Sequence, residues 1–256
     1  MFNFHIILFR HCPDLFCESP QKENSLQKHF LYDIKISAFA FCGRIAGIKG
    51  ILKKFLKGEI KINTTDNEGF WKLIDESRRA NPDDNEAFFE FASRKFAELG
   101  DEQKSFLRCD LGIYTEIAAE CVWLNMACKV INGYISDDTG LYFGLWVISR
   151  GKEVFFNALK NPDSLALIEN IPFGRAEFEQ LMSLGCEEEC GDGFDEALLR
   201  QTDLRRKHIM KEIIFKEGGM YGNYDSFEDA LKAIPETLPN LIKRARAENF
   251  NRENYI

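Results

Sequence analysis

Two pairs of carboxylates stand where acids are uncommon. Glu116 and Glu120 are the only charged residues between Leu111 and Cys128, and a spacing of four puts them on one side of a helix. Paired acids in apolar surroundings shift in pKa and can carry acid–base chemistry. The helical periodicity, however, sets them on the flank of the stripe Ile113, Ile117, Cys121, Leu124 and Cys128, which predicts a solvated boundary. Asp137 and Asp138 follow Ser136 in "INGYISDDTGLYFGLWVISRG" (Ile131 to Gly151). An acidic turn of this kind pairs with a partner's arginine or holds a cation, although a hard cation wants six or more oxygens. The plainer role is helix entry. Ser136 and Asp137 suit an N-cap and Asp138 a first turn, with a cap contributing on the order of 1 kcal/mol.

Other reactive residue types are sparse. His208 is the only histidine after residue 29 and lies in a basic run with Arg205, Arg206, Lys207 and Lys211. That run reads as salt bridging inside an acidic domain rather than as a nucleic-acid contact. A chain so poor in histidine does not suit a Ser-His-Asp enzyme with any other base. Cys186 and Cys190 in "CEEEC" form half of a soft-metal site at best, and His11, Cys12, Cys17 and His29 match no zinc-finger spacing. "EGGMYGNYD" (Glu217 to Asp225) has glycines, but no strand before it and no Lys-Ser/Thr after it, so it is no phosphate loop. Tyr221 and Tyr224 there are candidates to line a groove. No catalytic residue, metal or cofactor is assigned.

The elements that must position these groups are helical. "TTDNEGFWKLIDESRRA" opens with a capping box, Thr65 with Glu68, and Phe70, Trp71 and Ile74 form its apolar stripe. Pro82, Asp83 and Asp84 suit the first turn of the next helix, which stops near Gly100. A helix or helix pair follows to Asn132, with Gly133 as its left-handed cap. The stretch from Thr139 to Ser149 has no charged residue and is apolar nearly all round, with Tyr142 and Trp146 on its broad face. Such a helix belongs at the centre of a bundle, and Gly144 lets a neighbour approach. "KEVFFNALK", "GRAEFEQLMSLGCEEEC", "GDGFDEALLRQTDLRRKHIMKEIIFK" and "DSFEDALKAIPETLPNLIKRARAENF" read as further helices, the last entered by Ser226 and Asp229. No alternating run is long enough for a strand. The expected fold is all-α, an irregular multi-helix bundle around a central aromatic helix at about residues 139–150.

Composition sets the frame. Hydrophobic content of 45% with 23 phenylalanines is ample for a packed core. Eight cysteines without a paired framework suit a reducing, cytoplasmic setting. Residues 1–62 carry ten basic and five acidic residues and read as an appended N-terminal extension. Its apolar start has no basic region before it, and Ile36 to Gly58 is interrupted by Arg44 and Lys49, so neither a signal peptide nor an integral span is expected. Residues 63–256, the helical domain, hold 23 basic and 36 acidic residues, a net of −13. A domain so acidic repels nucleic acid and attracts a basic partner.

"FWKLIDESR" (Phe70 to Arg78) and the longer "INGYISDDTGLYFGLWVISRGKEVFFNALKNPDSLA" (Ile131 to Ala166) resemble a bacterial family of helical proteins, domain of unknown function 4240. The likeness covers about residues 67–170, ahead of C-terminal helices at 174–250. Tyr134 stands where the family often has a second glycine, and Gly144 where it often has an arginine. The resemblance implies an all-helical bacterial protein and brings no reaction. Two functions follow as expectations: interaction with a macromolecule, such as a basic protein in a regulatory or toxin-neutralising role, or an enzyme or small-molecule binder with a carboxylate-lined pocket beside the aromatic helix. The candidate residues for either are Ser136, Asp137, Asp138, Glu116, Glu120, Tyr142 and Trp146.

Overall fold

The computed structural model describes residues 68–185 and 196–250. The N-terminal extension, the cysteines and histidines within it, Thr65 of the first capping box, and the Cys186–Cys190 pair lie outside these residues. Helices make up most of the described chain, with no strand among the described residues. In order they are α1 (Glu68–Ala80), α2 (Asn85–Ala97), α3 (Asp101–Glu120), α4 (Val122–Asn132), α5 (Asp137–Ser149), α6 (Lys152–Lys160), α7 (Glu196–Glu212), α8 (Phe227–Lys232), α9 (Ile234–Thr237) and α10 (Pro239–Ala247). Short 3-10 turns at Pro162–Leu167 and Glu179–Ser183 stand between α6 and α7. No helix among the described residues is long and apolar enough to cross a membrane.

The aromatic helix α5 is the centre. Phe143, Leu145, Trp146, Val147 and Ile148 are all fully buried. Its strongest packing is against α3, and the cause is visible at Gly144: a Cβ there would lie 2.7 Å from the Ala118 Cβ. The two backbones touch because neither position carries bulk. Around them, Trp71 packs on Tyr114 with centroids 4.7 Å apart and on Phe155 at 5.4 Å, fastening α1, α3 and α6 into one aromatic cluster. Burying rings of this size dominates the core energetics.

The pair α3–α4 breaks at Cys121, whose extended backbone (φ −73°, ψ 111°) interrupts the ladder. Residues far along the chain close the break. Val122 N–H donates to Met220 O (3.0 Å), and Trp123 Nε1 donates to Gly219 O (2.7 Å). At the C-terminus, Asp163 accepts from the N–H groups of Asn240 (3.2 Å) and Leu241 (2.8 Å), capping α10 from outside its own segment. Leu238, Leu241 and Ala245 then join the main core.

Several expectations need correction. Asp84 is the N-cap of α2, accepting from Ala87 N–H (2.9 Å), so Pro82 and Asp83 precede the helix. In "GRAEFEQLMSLG" only Glu179–Ser183 is helical, as a 3-10 turn. Two of its backbone donors go to other segments: Gly174 N–H to Ile131 O (2.8 Å) and Phe178 N–H to Tyr142 O (3.0 Å). Tertiary bonding overrides helix propensity there. The C-terminal stretch is three short helices, since Pro235 and Pro239 each start a new one.

Glu116 and Glu120 are buried, at 6% and 3% exposure, not solvated. The reason is α7, which lays Arg206 against both: its Nη1 donates to Glu116, and its Nη2 lies 3.5 Å from Glu120 Oε2. Arg205, beside it, makes a two-pronged bond to Asp110 (Nε 2.7 Å, Nη2 2.7 Å), also buried. Burial disfavours charge on Arg205, but the Asp110 carboxylate outweighs that and raises its pKa. The basic run therefore bonds within the chain through these two arginines. His208 is partly buried, its Nε2 3.1 Å from Glu212 on the next turn.

Candidate functional site

Helix α4 ends in Asn132, and Gly133 (φ 83°) reverses the chain. A left-handed residue at that point is what glycine tolerates best. The reversal leaves Tyr134 half exposed, at 51%. Ser136 then caps α5: its Oγ accepts from Thr139 N–H (3.2 Å), and Thr139 Oγ1 accepts from Ser136 N–H (2.7 Å). Asp137 and Asp138 occupy the exposed first turn, facing the positive end of the helix. One turn further on, Tyr142 leans out of the core.

A second segment is brought alongside. The Asn132 carboxamide holds Ala176 at both its N–H (2.8 Å) and its C=O (3.4 Å). With the Phe178–Tyr142 backbone bond, this fixes residues 176–179 against the start of α5. Ala176 and Phe178 face the core, while Glu177 and Glu179 turn outward. Tyr134 Oη donates to Glu177 Oε1 (3.2 Å) and Tyr142 Oη to Glu179 Oε1 (2.9 Å).

The result is an acidic patch framed by two tyrosines. Among the described residues, no lysine or arginine comes within ion-pair distance of Asp137, Asp138, Glu177 or Glu179. The crowding is felt by the phenols. Burial, then the bond to Glu179 and the charges of Glu179, Asp138 and Glu177, push the Tyr142 hydroxyl up to about 12. Glu177 raises Tyr134 likewise. Such a patch has spare acceptor oxygens and two ring faces, and so suits guanidinium or ammonium groups.

Of the residues singled out from the sequence, Ser136, Asp137, Asp138 and Tyr142 come together here. Trp146 does not; it is wholly buried, tilted against Phe143 at 5.5 Å. Glu116 and Glu120 form a separate network with Arg206 and with Tyr221, whose Oη donates to Glu120 Oε2 (2.9 Å). Tyr224 packs on Trp123 at 5.7 Å. Glu177, Glu179 and the exposed Tyr134 ring were not singled out as site residues. Their signal was the short alternation Ala-Glu-Phe-Glu, a period of two that a helical reading passes over.

Residues 65–188 match the family model described as Protein of unknown function (DUF4240), which spans α1 to α6 and the patch. No curated protein and no solved structure matches the chain significantly.

Proposed function

We propose that this chain, carrying that family's domain over residues 65–188, is a binding module for a basic segment of another protein, received on the acidic tyrosine patch. The carrying observation is the set Asp137, Asp138, Glu177 and Glu179, drawn from two segments and left without a cation among the described residues. Clustered like charges repel, and a Lys/Arg-rich partner relieves that repulsion. The half-exposed Tyr134 ring adds a cation–π surface. The net of −13 over residues 63–256 steers such a partner inward, more strongly at low salt. Sequestering a basic enzyme or toxin in a reducing cytoplasm is the role that fits this chemistry.

The test is binding of an arginine-rich peptide at about 50 and about 500 mM salt, a range over which exposed charge pairs are increasingly screened. We expect capture at the lower salt, loss at the higher, and weakening of about ten-fold or more in the Glu177→Gln/Glu179→Gln variant. Equal capture by that variant, or no capture at low salt, rejects the proposal. The competing reading, a carboxylate-lined pocket beside α5, draws on Asp137, Asp138, Glu116 and Glu120, of which Glu116 and Glu120 are engaged by Arg206.

A further inference from the structure

Glu68, the first residue of α1, is held by Lys152 at the start of α6 (Oε1 to Nζ, 2.7 Å). Helix α6 follows directly on α5, so the chain enters the fold beside the end of α5 that lies away from the acidic patch. With 13 residues, α5 is about 20 Å long. The chain from Lys57 to Glu68, eleven residues on, can stretch to about 36 Å. Lys57 and the residues before it therefore have the reach to meet the patch.

The chemistry of that stretch is complementary to it. From Lys35 to Lys61 there are seven basic residues and one acid, Glu59. Lys49, Lys53, Lys54 and Lys57 are interleaved with Ile48, Ile51, Leu52, Phe55 and Leu56. The patch answers both kinds of side chain. Asp137, Asp138, Glu177 and Glu179 have no lysine or arginine within ion-pair distance among the described residues. Beside these acids the Tyr134 ring is half exposed, and Ile135 and Tyr142 are only partly buried, which gives the face an apolar component. A segment joined to its receiver meets it at an effective concentration on the order of millimolar, so a contact too weak to hold between separate molecules is made within one.

We infer that residues 44–57 of this chain occupy the acidic tyrosine patch until a basic partner displaces them. The inference rests on the reading of the patch as a receiver of basic segments, and it adds regulation to it. A partner with few positive charges meets a filled surface, whereas one with many outcompetes the chain's own lysines.

Zero-length carbodiimide coupling tests this in the full chain, because an amide then forms only between a lysine amine and a carboxylate already in contact. At about 50 mM salt, mass spectrometry should find links within one chain from Lys49, Lys53, Lys54 or Lys57 to Asp137, Asp138, Glu177 or Glu179, and their yield should fall at about 500 mM. An arginine-rich peptide without lysine should suppress the links. Replacing the four lysines by glutamine in the full chain should tighten that peptide about ten-fold. Links that are absent, or that join only two separate chains, overturn the occupancy even where the peptide binds through Glu177 and Glu179. Unchanged peptide affinity in the glutamine variant overturns it too. A peptide that fails to bind even that variant rejects the receiver itself, and the inference with it.

Discussion

Trp146 has no exposed surface, and its indole Nε1 finds no acceptor among the described residues. Trp146→Ala should therefore cost roughly 3–5 kcal/mol in denaturant unfolding, the range for emptying an aromatic site in a core. Trp146→Phe should cost much less, since it also removes an unsatisfied donor. Asp137→Asn keeps a polar group in the first turn and should leave stability within about half a kcal/mol. A loss comparable with that of Trp146→Ala would mean that Asp137 has a structural task beyond helix entry. Tyr142 gives a pH signature. Its hydroxyl stands at about 12 in the folded chain, against about 10 unfolded. Below the unfolded value, the protonated phenol contributes its full stabilisation. As pH rises from about 10 towards about 12, the unfolded chain has lost the proton that the folded chain retains, so stability falls. Denaturation midpoints measured across that window should decline less steeply in Tyr142→Phe.

At the level of elements, two contacts decide the assembly. Gly144→Ala would drive a methyl group into Ala118, and overpacking of this kind costs about 1–3 kcal/mol. Thermal melts should show the drop without loss of helical circular dichroism. Asp110→Ala takes the bidentate carboxylate away from the buried Arg205, and breaking one side of a buried pair typically costs about 3–5 kcal/mol. Replacing both partners by apolar residues should recover most of it. The central helix was legible because its signals are local: Ser136 as cap, Gly133 before it, and an uncharged run that only a core accepts. The burial of Glu116 and Glu120 was not legible, because the residues that bury them, Arg206 and Tyr221, lie 90 and 101 positions away. The same holds for Glu177 and Glu179, whose place is set by Asn132 and Tyr142 rather than by their own neighbours. Half of the patch could thus be read from the stretch that starts α5, and the other half only from the fold.

For the whole molecule, the segment matched by the family does not complete its own core. Val122 and Trp123 are tied by Met220 and Gly219, and Asp163 caps a helix that begins at Pro239. A chain ended near residue 190 should consequently lose cooperative unfolding and bind hydrophobic dyes, as a partly packed globule does. A sharp two-state melt from that fragment would refute the dependence. The same ties have a consequence in time. A ribosome adds about 5–20 residues each second, so the nearly hundred residues between Ser149 and Ala247 take about 5–20 s to appear. Throughout that interval α4, the helix on which α10 packs, has been made without that cover. A nascent chain stalled at such a length should be found in the grip of a chaperone, and released once α10 emerges.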